Sequence, residues 1–559
     1  MKYAKIFLLI SILFSNYSYS QDKEKLDPLK PEIRENYIQK AAELRKQEKY
    51  NEAIGKIDSI LLKNPKDAPM LLFKGDMLLQ AHRFPDAAED YRKIIPLNYQ
   101  KTICQINLSY AEFMSHKTGN ALKDAKAAWI GNPTNVNATI NYFNAQLWNI
   151  KVKEAAAFLD KQKDSLSKAQ LLVLKARLFT TAGDYRKGLS YYAQLVRSYP
   201  DKNYIMEYSE VLLGKKEWKP SYDTVLRHRK DFTPSEYNGF MDKYKGLKRQ
   251  LVGTEWVYFK DGGENSRVSS SAWWQDHDGK VYRAGLRAGI SEYSSPNGNT
   301  TGKRFDNTFS NFIHGEITER WNLAWSGKSE ADLQNIHSDT DPSFTGLTWK
   351  QTVQYQPHDR RMIGAYLSSQ FIDWTATILS RRIRVNTLGY ITHILVSGHT
   401  GIYSQGGIGF LSDTSHNKSY QFFGSIYHLF RTEPTLKVGL NLTLVHYSNP
   451  HDLQLSSLVT TDKSLDYAPS FYRSLEVFGD YSTALPNLSK FYLKLQGGAG
   501  IQKFDSQGLT TNHRASVELG THLNHWDAYI RYQNSNASSL PGVVGYQFNW
   551  LVGGLVYKW

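Results

Sequence analysis

The sequence predicts a two-domain α + β protein, in which a solenoid of α-helical repeats precedes a closed transmembrane antiparallel β-barrel of about 16 strands. Three observations predict it. Small residues recur every 34 positions in the first half of the chain, apolar and polar residues alternate after Val252, and the chain ends on an aromatic residue, Trp559. The predicted segments are a signal peptide over residues 1–20, repeats over 34–235, a connecting helix over 236–251 and the barrel over 252–559.

The 34-residue period is clearest in one set of alanines, which are Ala53, Ala87, Ala121 and Ala155. The same step links the aromatic residues Tyr50 and Phe84. This period is typical of tetratricopeptide repeats, in which two helices approach each other at a small residue and successive pairs stack. We expect about six units with a concave face that binds proteins or peptides. The alternative is a spacer that only holds the barrel at a set distance.

The N-terminus has the three parts of a secretory signal. Lys2 and Lys5 precede an apolar run over residues 6–14, and small and polar residues follow up to Gln21. Charge is then uneven: 42 of the 68 Lys and Arg and 28 of the 53 Asp and Glu lie before Val252, which gives a formal net charge of +14 for that part and +1 for the rest. Exposed lysines keep such a helical array soluble. Nucleic acid is not an expected partner, because a secreted chain rarely meets it.

Alternation with period two marks the second half. In Leu436–Leu444 every second residue is Leu or Val, and the residues between them are polar or Gly. This pattern is typical of a barrel strand with one apolar and one polar face, although a soluble sandwich would also alternate. The last strand, ending with Tyr557 and Trp559, resembles the assembly signal that outer-membrane proteins present to the barrel assembly machinery. At about 19 residues per strand and turn, residues 252–559 hold about 16 strands.

The second half resembles the C-terminal barrel of the outer-membrane component of cellulose synthase. The matching residues are Val438–Thr443, His446, Tyr447, Tyr467, Pro469 and Tyr472, with Ala468 where that family has Phe-Ser. The likeness covers about residues 381–503, and the order of repeats and barrel matches the whole family. YaiO-type outer-membrane barrels are similar as well. The resemblance implies a polysaccharide export porin in the cell outer membrane, whose repeats face an inner-membrane glycan synthase across the periplasm.

Charged residues on the strands are the candidate glycan contacts. An arginine that faces lipid at the bilayer midplane lowers the stability of a barrel by about 2–4 kcal/mol, so we expect charged side chains to face the lumen. The candidates for contact with a glycan in the lumen are Arg381, Arg382, Arg384, Tyr472, Glu476 and Asp480. Arg360 and Arg361 extend the basic group. The alternative is that these charges pair with one another and only stabilise the wall. The arginines favour a neutral or acidic glycan over a cationic one.

Motifs for catalysis are missing from the sequence. It has no nucleotide-binding loop, zinc-ligand spacing or nucleophile elbow, so we expect no catalytic residue, metal or cofactor. The expected function is a conduit for an extracellular polysaccharide, with that cargo, the assembly machinery, outer-membrane lipid and the synthase or periplasmic proteins as partners. The alternatives are a scaffold whose repeats recruit periplasmic proteins, and a barrel hydrolase.

Overall fold

The computed structural model describes fourteen stretches of the chain, namely residues 30–261, 264–277, 281–296, 305–339, 341–373, 376–380, 382–397, 399–412, 416–432, 434–449, 471–485, 488–504, 508–536 and 548–559. The predicted signal peptide lies outside these residues. The chain divides into two compact units, one ending at Asn149 and one beginning at Ile150. The first unit is helical. The second contains further helices and the barrel.

Thirteen α-helices precede the first strand in the described part of the chain. They are α1 Pro31–Lys46, α2 Tyr50–Leu61, α3 Ala68–Gln80, α4 Phe84–Ile94, α5 Lys101–Met114, α6 Thr118–Gly131, α7 Val136–Trp148, α8 Val152–Gln162, α9 Lys168–Ala182, α10 Tyr185–Ser198, α11 Lys202–Gly214, α12 Trp218–Arg227 and α13 Pro234–Leu247. None of the helices among the described residues is long and apolar enough to cross a membrane.

Small residues let the helices of the first unit pack closely. Ala53, Ala87 and Ala121 are fully buried, as their 34-residue spacing predicts. Gly75 serves the same purpose on α3, since a Cβ there would lie 2.9 Å from the Tyr91 ring of α4. The Tyr91 hydroxyl can therefore reach Asp76 and donate a 2.6 Å hydrogen bond to its carboxylate.

Two helices of the second unit begin at capping boxes, and the last helices share an aromatic core. Capping boxes open α9 at Ser167 and α13 at Thr233, where each hydroxyl accepts from a backbone N–H three residues later. The buried core that follows includes Trp218, Phe240 and Tyr244. The chain passes from α13 directly into the first strand.

The barrel is a closed antiparallel sheet of 16 strands, which confirms the predicted fold class. Each strand pairs with its neighbours in sequence, and β1 pairs with β16. The strands are β1 Leu251–Asp261, β2 Ser266–Gln275, β3 Tyr282–Pro296, β4 Phe305–Arg320, β5 Trp325–Ser338, β6 Phe344–His358, β7 Arg361–Phe371, β8 Arg384–Leu395, β9 Thr400–Leu411, β10 Lys418–Thr432, β11 Thr435–Tyr447, β12 Phe471–Leu485, β13 Leu488–Phe504, β14 Thr510–His522, β15 Trp526–Ser535 and β16 Phe548–Lys558.

The strands alternate as predicted, with apolar side chains outside. On β11, Leu440 and Leu442 are 44% and 38% exposed, whereas the intervening Asn441 is 8% exposed. Aromatic pairs lie on the same outer face, for example Trp325 with Tyr355, whose ring centroids are 4.7 Å apart. An apolar outer surface with aromatic residues near its edges is typical of transmembrane barrels.

The two ends of the barrel differ. At one end, which we call the short-turn rim, the chain enters at Gln250 and leaves at Trp559, and these residues exchange backbone hydrogen bonds of 3.1 and 2.9 Å. The opposite end, the long-loop rim, holds the connection between β7 and β8, which includes the short helix α14 Ala376–Ser380. The short-turn rim is therefore the end nearest in sequence to the helices.

Candidate functional site: the barrel lumen

A cavity of about 570 Å³ lies against the inner faces of β4–β11. Uncharged polar side chains are the largest group in its lining because these strands place Thr, Ser or Gln at alternate positions, and Lys328, Glu330, Lys350 and Asp373 add charged groups. The amide and hydroxyl groups belong to Thr318, Ser326, Thr352, Gln354, Ser368, Gln370, Thr387, Gln405 and Gln421. Tyr366 adds an aromatic ring. We call this part of the inner surface the cavity wall.

A different chemistry, which we call the paired wall, occupies the inner faces of β1, β3 and β11–β14. It is defined by four ion pairs: Glu476 with Arg514 at 2.9 Å, Asp480 with Lys437 at 2.6 Å, Glu518 with Lys494 at 2.8 Å, and Glu255 with Arg287. Hydrogen bonds extend these pairs, since the Tyr529 hydroxyl donates to Glu255 at 2.8 Å. Opposite charges therefore neutralise one another along this side of the lumen.

The described parts of the connection between β7 and β8 lie inside the barrel, and we call these residues, 372–373, 376–380 and 382–383, the inner segment. Its Ala376 N–H donates to the Ser295 hydroxyl at 3.0 Å, and Ala376 and Leu379 pack against Tyr293 on the inner face of β3. Its Ile372 packs in a second buried cluster, with Ile383, Leu411, Val445, Tyr447 and Tyr472. Because the segment contacts strands on both sides of β7, it narrows the lumen near the long-loop rim.

The five arginines selected from the sequence do not form one track. Arg360 and Arg361 lie at the short-turn rim, and Arg382 and Arg384 lie at the long-loop rim, because the whole of β7 separates the two groups. The expectation that these arginines form one basic group is therefore wrong. Arg381 lies outside the described residues.

Arg382 and Arg384 are engaged at the rim. The Arg382 guanidinium donates to the Pro342 carbonyl at 2.7 Å and lies over the Phe344 ring. The Arg384 guanidinium donates to the Leu347 carbonyl at 2.8 Å. Neither residue is part of the cavity lining described above. Their contact with a glycan stays a prediction, and their surroundings give it no support.

Tyr472, Glu476 and Asp480 lie on the inner face of β12. Tyr472 is fully buried, and its hydroxyl donates to Gln502 at 3.2 Å. Glu476 is 6% exposed and also accepts a hydrogen bond from Asn441. These side chains therefore support the wall, and only Asp480 retains appreciable exposure, at 19% of its side chain. Glu476 and Asp480 therefore agree with the alternative interpretation, in which the charges pair with one another and stabilise the wall.

The C-terminal residues close the barrel. Tyr557 pairs with Val252 of β1, and its ring centroid lies 4.6 Å from that of Trp526. Trp559 holds the backbone contact to Gln250 described above and is 72% exposed. Their role as an assembly signal stays a prediction.

Helices of the second unit contact the short-turn rim. Asp359, in the turn between β6 and β7, accepts from Lys215 at 2.8 Å and from the Tyr185 hydroxyl at 2.7 Å. Burial alone would raise the Asp359 pKa, but these two hydrogen bonds lower the pKa below its usual value. Gly183 fits only without a side chain: its φ is +93°, and a Cβ would overlap His358.

A second contact of the same kind involves Arg320, at the end of β4. Its guanidinium pairs with Glu217 at 3.2 Å and donates to the Lys215 carbonyl. The Trp218 ring also lies 5.2 Å from that of His277. The helices α9–α12 are thus fixed to the short-turn rim by specific polar contacts.

One cluster in the lumen has metal-ligand chemistry. His314, Glu316 and Glu330 place ligand atoms within 4.8 Å of one another. The Lys328 ammonium, however, bridges the two carboxylates at 2.7 Å from each, and His314 pairs with Asp332 at 2.8 Å. A protein cation therefore already occupies the position between the two carboxylates that a metal would need.

Sequence reasoning missed the residues of the cavity wall. Their signal was present, since Lys350, Thr352 and Gln354 alternate with Trp349, Gln351 and Val353 on β6. The glycan-contact candidates selected from the sequence are mainly charged residues. Amide and hydroxyl side chains are common on any barrel strand, so they did not stand out in the sequence. What distinguishes them is their convergence on one cavity, which only the closed sheet produces.

Comparisons with known proteins give a limited picture. A sequence-family profile described as "Tetratricopeptide repeat" matches residues 38–98. No curated protein sequence matches the chain. Among solved structures, the chain is similar to a "Bacterial polysaccharide outer membrane secretin", at 11% identity over 56% of this chain and 99% of that one, with a TM-score of 0.42.

Two further similarities are of the same distant kind. OccK5 (OpdH) of Pseudomonas aeruginosa is 11% identical over 56% of this chain and 98% of its own, with a TM-score of 0.31. A tetratricopeptide repeat protein from Parabacteroides merdae is 14% identical over 38% of this chain and 86% of its own, with a TM-score of 0.30.

Proposed function

We propose that the protein is an outer-membrane conduit for export of an extracellular polysaccharide, with its helical repeats in the periplasm. The observation that carries the proposal is the cavity of about 570 Å³ inside a closed barrel, lined mainly by amide and hydroxyl groups. The apolar outer face supports a membrane location, because such a surface is costly in water.

The cavity wall suits a sugar polymer for a chemical reason. Each sugar hydroxyl both donates and accepts hydrogen bonds, and Gln, Thr and Ser side chains offer both groups. Gln354, Gln370 and Gln421 supply amides on three strands, and Tyr366 supplies a ring against which a sugar face can pack. Contacts of this strength exchange easily, so a chain can advance past them. No step requires this protein to break a covalent bond.

The proposed orientation follows from chain connectivity. The helices lead into β1 at the short-turn rim, and short turns face the periplasm in outer-membrane barrels. Repeats of tetratricopeptide type present surfaces for proteins or peptides, so an inner-membrane glycan synthase or another periplasmic protein is the proposed partner. The resemblance to the outer-membrane component of cellulose synthase and to YaiO-type barrels agrees with this arrangement.

The proposal is tested by deleting the gene and assaying surface glycan, with the intact gene restored on a plasmid as control. We expect surface glycan to fall and glycan to accumulate in the periplasm. In planar bilayers, the purified full-length protein should conduct ions, and added oligosaccharides should block that current. Unchanged surface glycan together with a current that no oligosaccharide affects would instead favour the scaffold role.

A further inference from the structure

One cation of the cavity wall differs from the other lumen cations. Lys350 lies on the inner face of β6 and lines the cavity. Among the described residues, no carboxylate lies within 4 Å of its ammonium, which instead contacts the Tyr366 ring at 4.8 Å from the centroid. The cations of the paired wall each have an acidic partner, as described above. The Lys350 ammonium therefore faces the cavity without a carboxylate in direct contact among the described residues.

The reason lies in the pairing of two neighbouring strands. Glu330 of β5 lies directly opposite Lys350 in the register of β5 and β6. The Glu330 carboxylate is instead held by Lys328 at 2.7 Å, and the same ammonium holds Glu316. Two carboxylates thus share Lys328, and the Lys350 ammonium is left without a carboxylate in direct contact among the described residues.

The surroundings of Lys350 match a sugar that carries a negative charge. Thr352 and Gln354 follow it on the inner face of β6, and Tyr366 lies beside it on β7. An ammonium can donate charge-assisted hydrogen bonds to a carboxylate, while neighbouring amide and hydroxyl groups bind sugar hydroxyls. The cavity wall therefore combines the groups that a sugar carboxylate and its ring hydroxyls require.

We infer that Lys350, Tyr366 and the adjacent amides form a subsite for an acidic sugar, one that carries a carboxylate, within the exported polymer. This inference rests on the proposed function and sharpens it, since it names the chemical class of the cargo. The charge belongs to one position of the wall, so binding should depend on that position and not on the net charge of the lumen.

The test is calorimetric titration of the folded full-length protein in detergent with hexasaccharides of a uronic acid and of glucose. We expect the uronic acid hexasaccharide to bind at least fivefold more tightly than the glucose one. Lys350→Gln should abolish that difference, and Lys350→Arg should retain it. Lys494→Gln is the matched control, because it removes the same charge from the paired wall; it should retain the difference.

Three outcomes would overturn the inference. Equal affinity of wild-type protein for both sugars would do so, as would an equal loss of preference in Lys350→Gln and Lys494→Gln, which would indicate a general charge effect. Acetate or sulfate competing as well as the uronic acid hexasaccharide would indicate a plain anion site. None of these results bears on the conduit, which is contradicted by unchanged surface glycan in the deletion strain together with a current that no oligosaccharide affects.

Discussion

The cavity wall and the paired wall line the same lumen with different chemistry, because ion pairs dominate the paired wall and amide and hydroxyl groups are the largest group on the cavity wall. On the paired wall, carboxylates such as Glu476 and Glu255 are each matched by an arginine, and Glu476 is almost fully buried. On the cavity wall, uncharged side chains such as Gln354 and Gln421 remain accessible. The contrast shows that the most conspicuous residues of a barrel lumen can be structural, while the groups suited to cargo are the inconspicuous ones.

The largest effect should come from disrupting the pairing of β1 with β16, which closes the barrel beside the paired wall. The Glu255–Tyr529 hydrogen bond spans β15, β16 and β1, so it requires a complete β16. Removal of residues 557–559 should prevent closure, because an unpaired strand edge is not tolerated in lipid. We expect no heat-modifiable folded form in outer-membrane fractions.

The control for the truncation is Trp325→Ala, which removes an exposed aromatic residue from β5, leaves β16 complete and should yield a folded barrel. A truncated protein that migrates as a folded barrel would contradict the prediction that barrel closure requires residues 557–559.

The next effect should come from breaking one buried ion pair. Glu476→Ala leaves Arg514 without the carboxylate that accepts from it, and loss of one partner of a buried pair costs about 3 kcal/mol. We expect the free energy of unfolding in vesicles, measured by urea titration with tryptophan fluorescence, to fall by about that amount. Surface glycan should change little once the folded fraction is taken into account.

The control for this pair is the double variant Glu476→Ala with Arg514→Ala. Its loss of stability should be smaller than the sum of the two single losses, because the double variant leaves no buried charge alone. If the two losses in the free energy of unfolding are additive, the two residues act independently. The ion pair would then not stabilise the paired wall.

Substitutions on the cavity wall should reduce surface glycan and leave the stability of the barrel nearly unchanged. Changing Gln354, Gln370 and Gln421 together to alanine should reduce surface glycan severalfold, because each loss removes hydrogen bonds to the polymer. The free energy of unfolding should fall by no more than about 1 kcal/mol, since accessible positions tolerate substitution. Glycan is measured per folded barrel.

A matched control exists on the opposite side of the lumen, where Gln496 of β13 and Gln533 of β15 also face inward. Alanine at both positions should leave surface glycan unchanged. An equal reduction by both sets of glutamines would erase the distinction between the two walls.

The smallest effect should lie outside the lumen, at Asp359 in the short-turn rim. Its side chain is 70% exposed, so Asp359→Ala should cost no more than about 1 kcal/mol. The folded-state pKa of Asp359 lies below its unfolded value, so its contribution is fully present above the unfolded pKa and is lost as pH falls through the folded pKa. The contact with Lys215 should therefore be independent of pH between about 5 and 8 and weaken only in stronger acid.

Protection of the peptide bond after Lys215 from trypsin measures this contact. Protection should decrease in Asp359→Ala and stay unchanged in Asp160→Ala, whose carboxylate pairs only with nearby Lys163 among the described residues. A loss of protection in the wild-type protein between pH 7 and pH 5 would show that another group controls the docking of the helices.

Both fold classes could be predicted from the sequence alone, because each rests on local periodicity. Burial of Ala53 and Ala87 follows from the helical repeat, and the outward position of Leu440 and Leu442 follows from strand alternation. The number of strands followed from length, since each crossing of a barrel needs a similar number of residues.

The site, in contrast, depends on tertiary structure, because its groups meet only when distant strands close into a barrel. Closure separated Arg361 from Arg384 by the length of β7, and it buried Tyr472 beneath the inner segment. It also directed Glu330 to Lys328, so that no carboxylate of the described residues contacts the Lys350 ammonium. Periodicity fixes the face on which a side chain lies, but the partner it finds depends on register and on the path of a connecting loop, and neither is a local property of the sequence.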